Sequence, residues 1–91
     1  MVATASSPPV VPVALVVYGR DDCHLCHDMI AALHELQAQF SFALEVVDVD
    51  SDDELAARYG ERVPVLVAEG KEICHYHLDS SVLSAYFAEI R

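Results

Sequence analysis

The chain has 91 residues, 54% of them hydrophobic, with 15 acidic side chains against five basic ones and a formal charge of −10. That length supports one folded unit with a modest core rather than two, and that hydrophobic content excludes a wholly disordered chain. The carboxylate excess would repel a phosphate backbone and an anionic bilayer alike, so neither nucleic acid nor membrane is an expected partner.

The opening "MVATASSPPVVP" carries three prolines and lacks the basic start of a secretory signal. Residues 1–12 are therefore expected to form a mobile lead-in to a domain spanning 13–91. The longest apolar run, Val10 to Tyr18, is interrupted by Pro12 and falls short of the roughly 20 residues of a membrane-spanning helix, so a cytoplasmic address is the default expectation. Val13 to Tyr18 is apolar and rich in β-branched residues, which predicts a strand buried on both faces and ending at Gly19. From Leu25 the apolar residues Met29, Ala32, Leu33, Leu36 and Phe40 follow at helical spacing, predicting a helix that runs to Gln39 or Phe40.

Phe42 to Val49 reads as a second strand, stopped by the acidic run from Asp48 to Glu54. Asp50 or Ser51 is expected to cap a short helix whose first turn holds Asp52, Asp53 and Glu54 at the positive end of its dipole. Leu55 and Tyr59 share one face of that helix, and Gly60 is expected to end it in the left-handed conformation. Val63 to Ala68 predicts a third strand, followed by a turn at Glu69, Gly70 and Lys71 and a fourth strand from Glu72 to Tyr76. The last helix is expected to start at Asp79 or Ser80 and to bury Val82, Leu83, Tyr86, Phe87 and Ile90. The order βαβ-α-ββ-α belongs to the α/β class, with a four-stranded mixed sheet flanked by helices.

The chemistry centres on "DDCHLCHDM". Cys23 and Cys26, three residues apart in a first helical turn, lie on one face at a separation that suits a disulfide. A loop this short removes little entropy from the unfolded chain, so stabilisation is a weak reason for the pair. Unpaired amides and the helix dipole favour a thiolate at Cys23, whereas Cys26, nearly one turn inside, suits a resolving role. Arg20 and protonated His24 or His27 would lower the Cys23 pKa, and Asp21 and Asp22 would raise it. A closed zinc site wants four ligands and the CxxC supplies two. Strand alternation places Cys74 opposite His75 and His77, so no metal site is expected. Cys74 itself reads most simply as a small buried hydrophobe, with a regulatory thiol as the other reading.

With those elements placed, "VVYGRDDCHLCHDM" and "ELAARYGERVPVLVAEGKEI" together resemble the glutaredoxin-like branch of the thioredoxin superfamily, over about Val13 to Phe87. The resemblance implies a thioredoxin-like fold and a small thiol–disulfide oxidoreductase, with Cys23 as nucleophile and Cys26 as resolving thiol. It implies a cis peptide before Pro64, a form that X–Pro bonds alone reach cheaply, and a Val63 backbone that pairs with an extended substrate. Arg20 matches the place of a cation for the glycyl carboxylate of glutathione, Arg62 would add a second positive contact, and Asp79 and Ser80 fall where the next helix begins, near a γ-glutamyl carboxylate.

By this resemblance no cofactor is tightly bound, glutathione is the candidate co-substrate, and a monomer acts on a disulfide-containing protein or a glutathione mixed disulfide. The chain departs from the family in two places. His24 and Leu25 stand between the cysteines where Pro-Tyr is common, and "CHYHLDSS" has no Gly-Gly turn, so His75, Tyr76 and His77 are expected to crowd the approach. The alternatives are a metal or iron–sulfur binding module and a redox-inactive thioredoxin-fold interaction domain.

Overall fold

Aliphatic and β-branched residues form the first strand, β1 (Val13–Gly19), and helix α1 (His24–Leu36) carries the chain back to a parallel neighbour, β2 (Phe42–Asp48). A computed structural model describes residues 13–89; the expected lead-in over 1–12 and the core position of Ile90 lie outside them. A 3-10 turn (Val49–Ser51) and a short helix α2 (Asp53–Tyr59) precede the hairpin of β3 (Val65–Ala68) and β4 (Lys71–His75), and α3 (Ser80–Glu89) follows. The expected order is thus present. The sheet runs β2-β1-β3-β4, with β1 parallel to β2 from Val13↔Phe42 to Gly19↔Asp48. β1 is antiparallel to β3, from Leu15↔Ala68 to Tyr18↔Val65. Glu69 and Gly70, with φ of 52° and 79°, make the tight two-residue connection whose twist matches the β3–β4 hairpin.

Strand alternation divides the interior in two. On one face Leu15, Val17, Leu66 and Ala68 meet Met29 and Leu33 of α1 and Leu83 and Phe87 of α3. Phe40 and Phe42 stack on Phe87 at 4.6 and 5.6 Å between ring centroids. Val65 and Val67 lie on the other face, beside Tyr18, whose ring stacks on Tyr59 at 4.3 Å. Among the described residues α2 reaches this face through Tyr59, although the helix has no buried residue of its own.

Several boundaries differ from those the sequence predicts. α1 stops at Leu36, because the amides of Ala38 and Gln39 bond to carbonyls three residues back and tighten the last turn; Phe40 still reaches the core from the loop. The cap of α2 is Asp52, whose carboxylate accepts the Glu54 amide at 2.7 Å. Asp50 and Ser51 instead belong to the 3-10 turn, folded over Asp48. Gly60 is right-handed, with φ −53° and ψ −33°. Space demands glycine there, since a Cβ would run into the Ala56 carbonyl oxygen and come within 2.9 Å of the Arg20 guanidinium.

β3 begins at Val65 rather than Val63, after a cis peptide between Val63 and Pro64. β4 ends at His75, and Tyr76, with φ 64°, turns the chain away, so His77 does not continue the strand face of His75. Val82 is 41% exposed; the buried stripe of α3 consists of Leu83 and Phe87, with Tyr86 half-buried beside them.

Candidate active site

The dithiol lies where β1 hands the chain to α1. Cys23 is the N-cap of α1 in extended conformation, and its Sγ accepts the Cys26 amide at 3.2 Å, taking the place of the usual oxygen cap. Cys23 and Cys26 are joined in a disulfide with Cα atoms 5.2 Å apart. Cys23 is partly exposed, while Cys26 keeps 1% of its surface. Gly19 makes this burial feasible: a Cβ there would stand 3.0 Å from the Cys26 sulfur. The connecting turn is held by the Cys23 amide on the Arg20 carbonyl at 3.3 Å. The His27 Nε2–H, donating to the Asp21 carbonyl at 2.6 Å, braces it further. Asp21, Asp22 and His24 are exposed around it.

The antiparallel pairing of Tyr18 with Val65 brings the Val63–Pro64 turn to the same end of the sheet as Gly19 and the dithiol. Pro64 is fully buried, and its carbonyl accepts the Tyr76 amide at 2.9 Å. The Tyr76 hydroxyl donates to the Glu61 carbonyl at 3.0 Å, so one aromatic residue pins the loop from two sides. Among the described residues none of the loop and cap hydrogen bonds uses the Val63 backbone.

The cations expected at the site are already engaged, and on the α2 side. Arg20 Nε donates to Asp50 Oδ1 at 3.3 Å. Arg62 pairs with Glu72, donates to the Arg58 carbonyl at 3.2 Å, and lies over the Tyr59 ring at 5.8 Å from its centroid. Glu72 also accepts from His75 Nδ1 at 2.7 Å. Burial pushes the Glu72 carboxyl up, but its hydrogen bonds with Arg62 and His75 outweigh this and hold it below its ordinary value.

Asp79 and Ser80 stand at the start of α3, which packs on the other face. The Asp79 carboxylate accepts from the Ser81 hydroxyl at 2.7 Å and from the amides of Ser81 and Val82 at 3.1 and 3.2 Å, and these bonds hold its pKa down. Six residues proposed from sequence as substrate contacts are therefore split: Val63 and Pro64 lie at the dithiol end, Arg20 and Arg62 are ion-paired towards α2, Asp79 accepts the bonds that open α3, and Ser80 is the first residue of that helix.

Cys74 is half-buried against the α1/α3 core. Burial raises its pKa, against a hydrogen bond from the Asp79 amide, and the Asp79 and Glu72 charges raise it further. Among the described residues no group of three or more His, Cys, Asp or Glu side chains is placed to hold a metal ion, and no helix is long and apolar enough to cross a membrane. Sequence reasoning named Tyr76 only as a crowding residue and missed it as the loop's clamp; Leu25, read as one of the apolar positions of α1, is instead an exposed neighbour of the dithiol.

Comparison with known proteins matches residues 14–88 to the glutaredoxin-like domain (DUF836). A protein from Nitrosomonas europaea, known by solution NMR, is 53% identical and superposes with a TM-score of 0.78 over 87% of this chain and 95% of its own. An uncharacterized protein of Mycobacterium tuberculosis is 30% identical over 74 residues, 76% of each chain. Thioredoxin 1 of Thermosipho africanus, at 18% identity, shares the fold with a TM-score of 0.58, over 84% of this chain and 96% of that one.

Proposed function

The chain belongs to the glutaredoxin-like domain family, and on that premise we propose that it is a thiol–disulfide oxidoreductase working through Cys23 and Cys26. The observation that carries this reading is the asymmetry of the pair: a partly exposed sulfur at a helix N-cap, backed by a buried one. In the reduced protein the Cys26 amide and the helix dipole stabilise a Cys23 thiolate, while Asp21 and Asp22 oppose it. Cys23 attacks one sulfur of a substrate disulfide; that S–S bond breaks, a mixed disulfide forms and the second substrate sulfur leaves as thiolate. Cys26 then attacks the Cys23 sulfur, closing the intramolecular disulfide and releasing the first substrate sulfur as a thiolate. Two electrons pass from the dithiol to the substrate, and an external thiol reductant restores them.

The Val63 backbone, beside the cis peptide, offers an edge for an extended substrate. The test measures reduction of a protein disulfide under dithiothreitol recycling, and of a glutathionylated peptide under glutathione recycling, for the wild type, Cys23→Ser and Cys26→Ser. Both activities are expected to fall to the protein-free rate in Cys23→Ser, whereas Cys26→Ser loses protein-disulfide reduction. Full activity of Cys23→Ser in either assay would overturn the assignment.

A further inference from the structure

Between α1 and the β4–α3 connection the surface carries a depression of about 240 Å³, walled by Leu25, Met29, Tyr76 and Leu78, with Asp28 and His77 as its polar members. That volume is below the ~300 Å³ at which pockets for whole small molecules begin, and suits a single side chain. Leu25, 36% exposed, sits between the two cysteines in sequence, so the depression adjoins the dithiol. It shares Asp28, Ala32 and Leu78 with a second hollow of about 440 Å³ further along α1, where Glu35 joins the lining. The groove is thus apolar at the dithiol end, and its formal charges, Asp28 and Glu35, are both negative. Among the described residues no lysine or arginine lines either part.

Tyr76 forms a fixed wall of this groove. A bulky side chain at φ 64° is strained, and the two hydrogen bonds to the Pro64 loop hold it there with 43% of its surface in solvent. A rigid exposed aromatic loses little freedom when a ligand packs on it. Outside the groove Asp21 and Asp22 add negative charge beside Cys23, while Arg20 and Arg62 are tied up towards α2.

Resting on the oxidoreductase reading, we propose that the substrate is a polypeptide disulfide whose cysteine is flanked by an apolar residue and by lysine or arginine, seated in this groove. The apolar side chain fills the Leu25–Tyr76 end and the cation lies against Asp28 and Glu35. A small anionic disulfide such as a glutathione conjugate meets like charge at the same place. Electron flow is unchanged: the Cys23 thiolate takes the peptide sulfur, and the departing sulfur leaves with the electron pair of the broken bond.

The test uses pre-reduced full-length protein and single-cysteine peptides of equal length, each bridged to 2-thiopyridine, so that attack on the peptide sulfur releases a neutral chromophore. One peptide carries phenylalanine and lysines, a second phenylalanine and glutamates; a third probe is the glutathione conjugate. Each rate is divided by that probe's rate with dithiothreitol to remove intrinsic reactivity. The basic peptide is expected to react about 10-fold faster than the acidic one at low salt, with the ratio falling in 1 M NaCl and the glutathione conjugate grouping with the acidic peptide. Combined Asp28→Asn and Glu35→Gln substitution is expected to compress that ratio. Equal rates, or a ratio indifferent to the double substitution, would overturn the substrate assignment while leaving the oxidoreductase reading intact. Failure of every probe to outpace the Cys23→Ser protein would bring down that reading, and this one with it.

Discussion

The two faces of the sheet are built differently. The face under α1 and α3 is closed by aliphatic side chains and the Phe40, Phe42 and Phe87 rings, while the α2 face is closed by a tyrosine stack bordered by arginine ion pairs. The dithiol helix belongs to the first, which explains how Cys26 is buried while Cys23 meets solvent. The second holds the cations, and its partly exposed carboxylates neutralise them. Sequence offers Arg20 and Arg62 as cations for a substrate; in the fold Arg20 pairs with Asp50 and Arg62 with Glu72, so both already have carboxylate partners.

The contrast can be broken by substitution. Leu33→Ala, at a fully buried position, is expected to cost about 2–5 kcal/mol in urea unfolding. Tyr59→Ala, which removes a half-buried ring from the stack with Tyr18, is expected to cost about 1–2 kcal/mol. A loss from Tyr59 as large as that from Leu33 would mean the α2 face is as cohesive as the other, and the contrast would fail.

Charge on the α2 face is expected to matter less. Glu72→Gln breaks the carboxylate bridge between Arg62 and His75, both partly exposed, and is expected to cost no more than about 1 kcal/mol at neutral pH. Because the folded protein holds the Glu72 carboxyl below its ordinary 4.5, this stabilisation is complete above that value and disappears as pH falls through the lower folded pKa. The difference between wild type and Glu72→Gln should therefore close on acidification; a gap that widened towards pH 3 would contradict the sign.

The thiols offer the smallest perturbation. With Cys23 and Cys26 oxidised, iodoacetamide at pH 7 is expected to label Cys74 roughly 10-fold or more slowly than an unstructured cysteine peptide, because burial raises its pKa and limits access. Labelling at the peptide's rate would show that β4 opens readily and that Cys74 is not part of a closed core.

Much of this protein is legible along the chain. Hydrophobic periodicity sets the order of strands and helices, and local chemistry marks the ends: CxxC opens α1, the carboxylates from Asp52 to Glu54 open α2, and an X–Pro bond stands before β3. These signals need only neighbours within a turn or two, so sequence carries them. Long-range placement is different in kind. Arg20 meets Asp50 thirty residues away, Gly60 is small because the Ala56 carbonyl and Arg20 leave no room, and Tyr76 takes its unusual φ under the hold of the Glu61 and Pro64 carbonyls. No local pattern encodes such partners, because each depends on how β1, β3 and β4 register against one another and on which face a side chain emerges. The cysteine pair is thus written in nine consecutive residues, whereas the groove beside it exists only once α1 and the β4–α3 connection lie side by side.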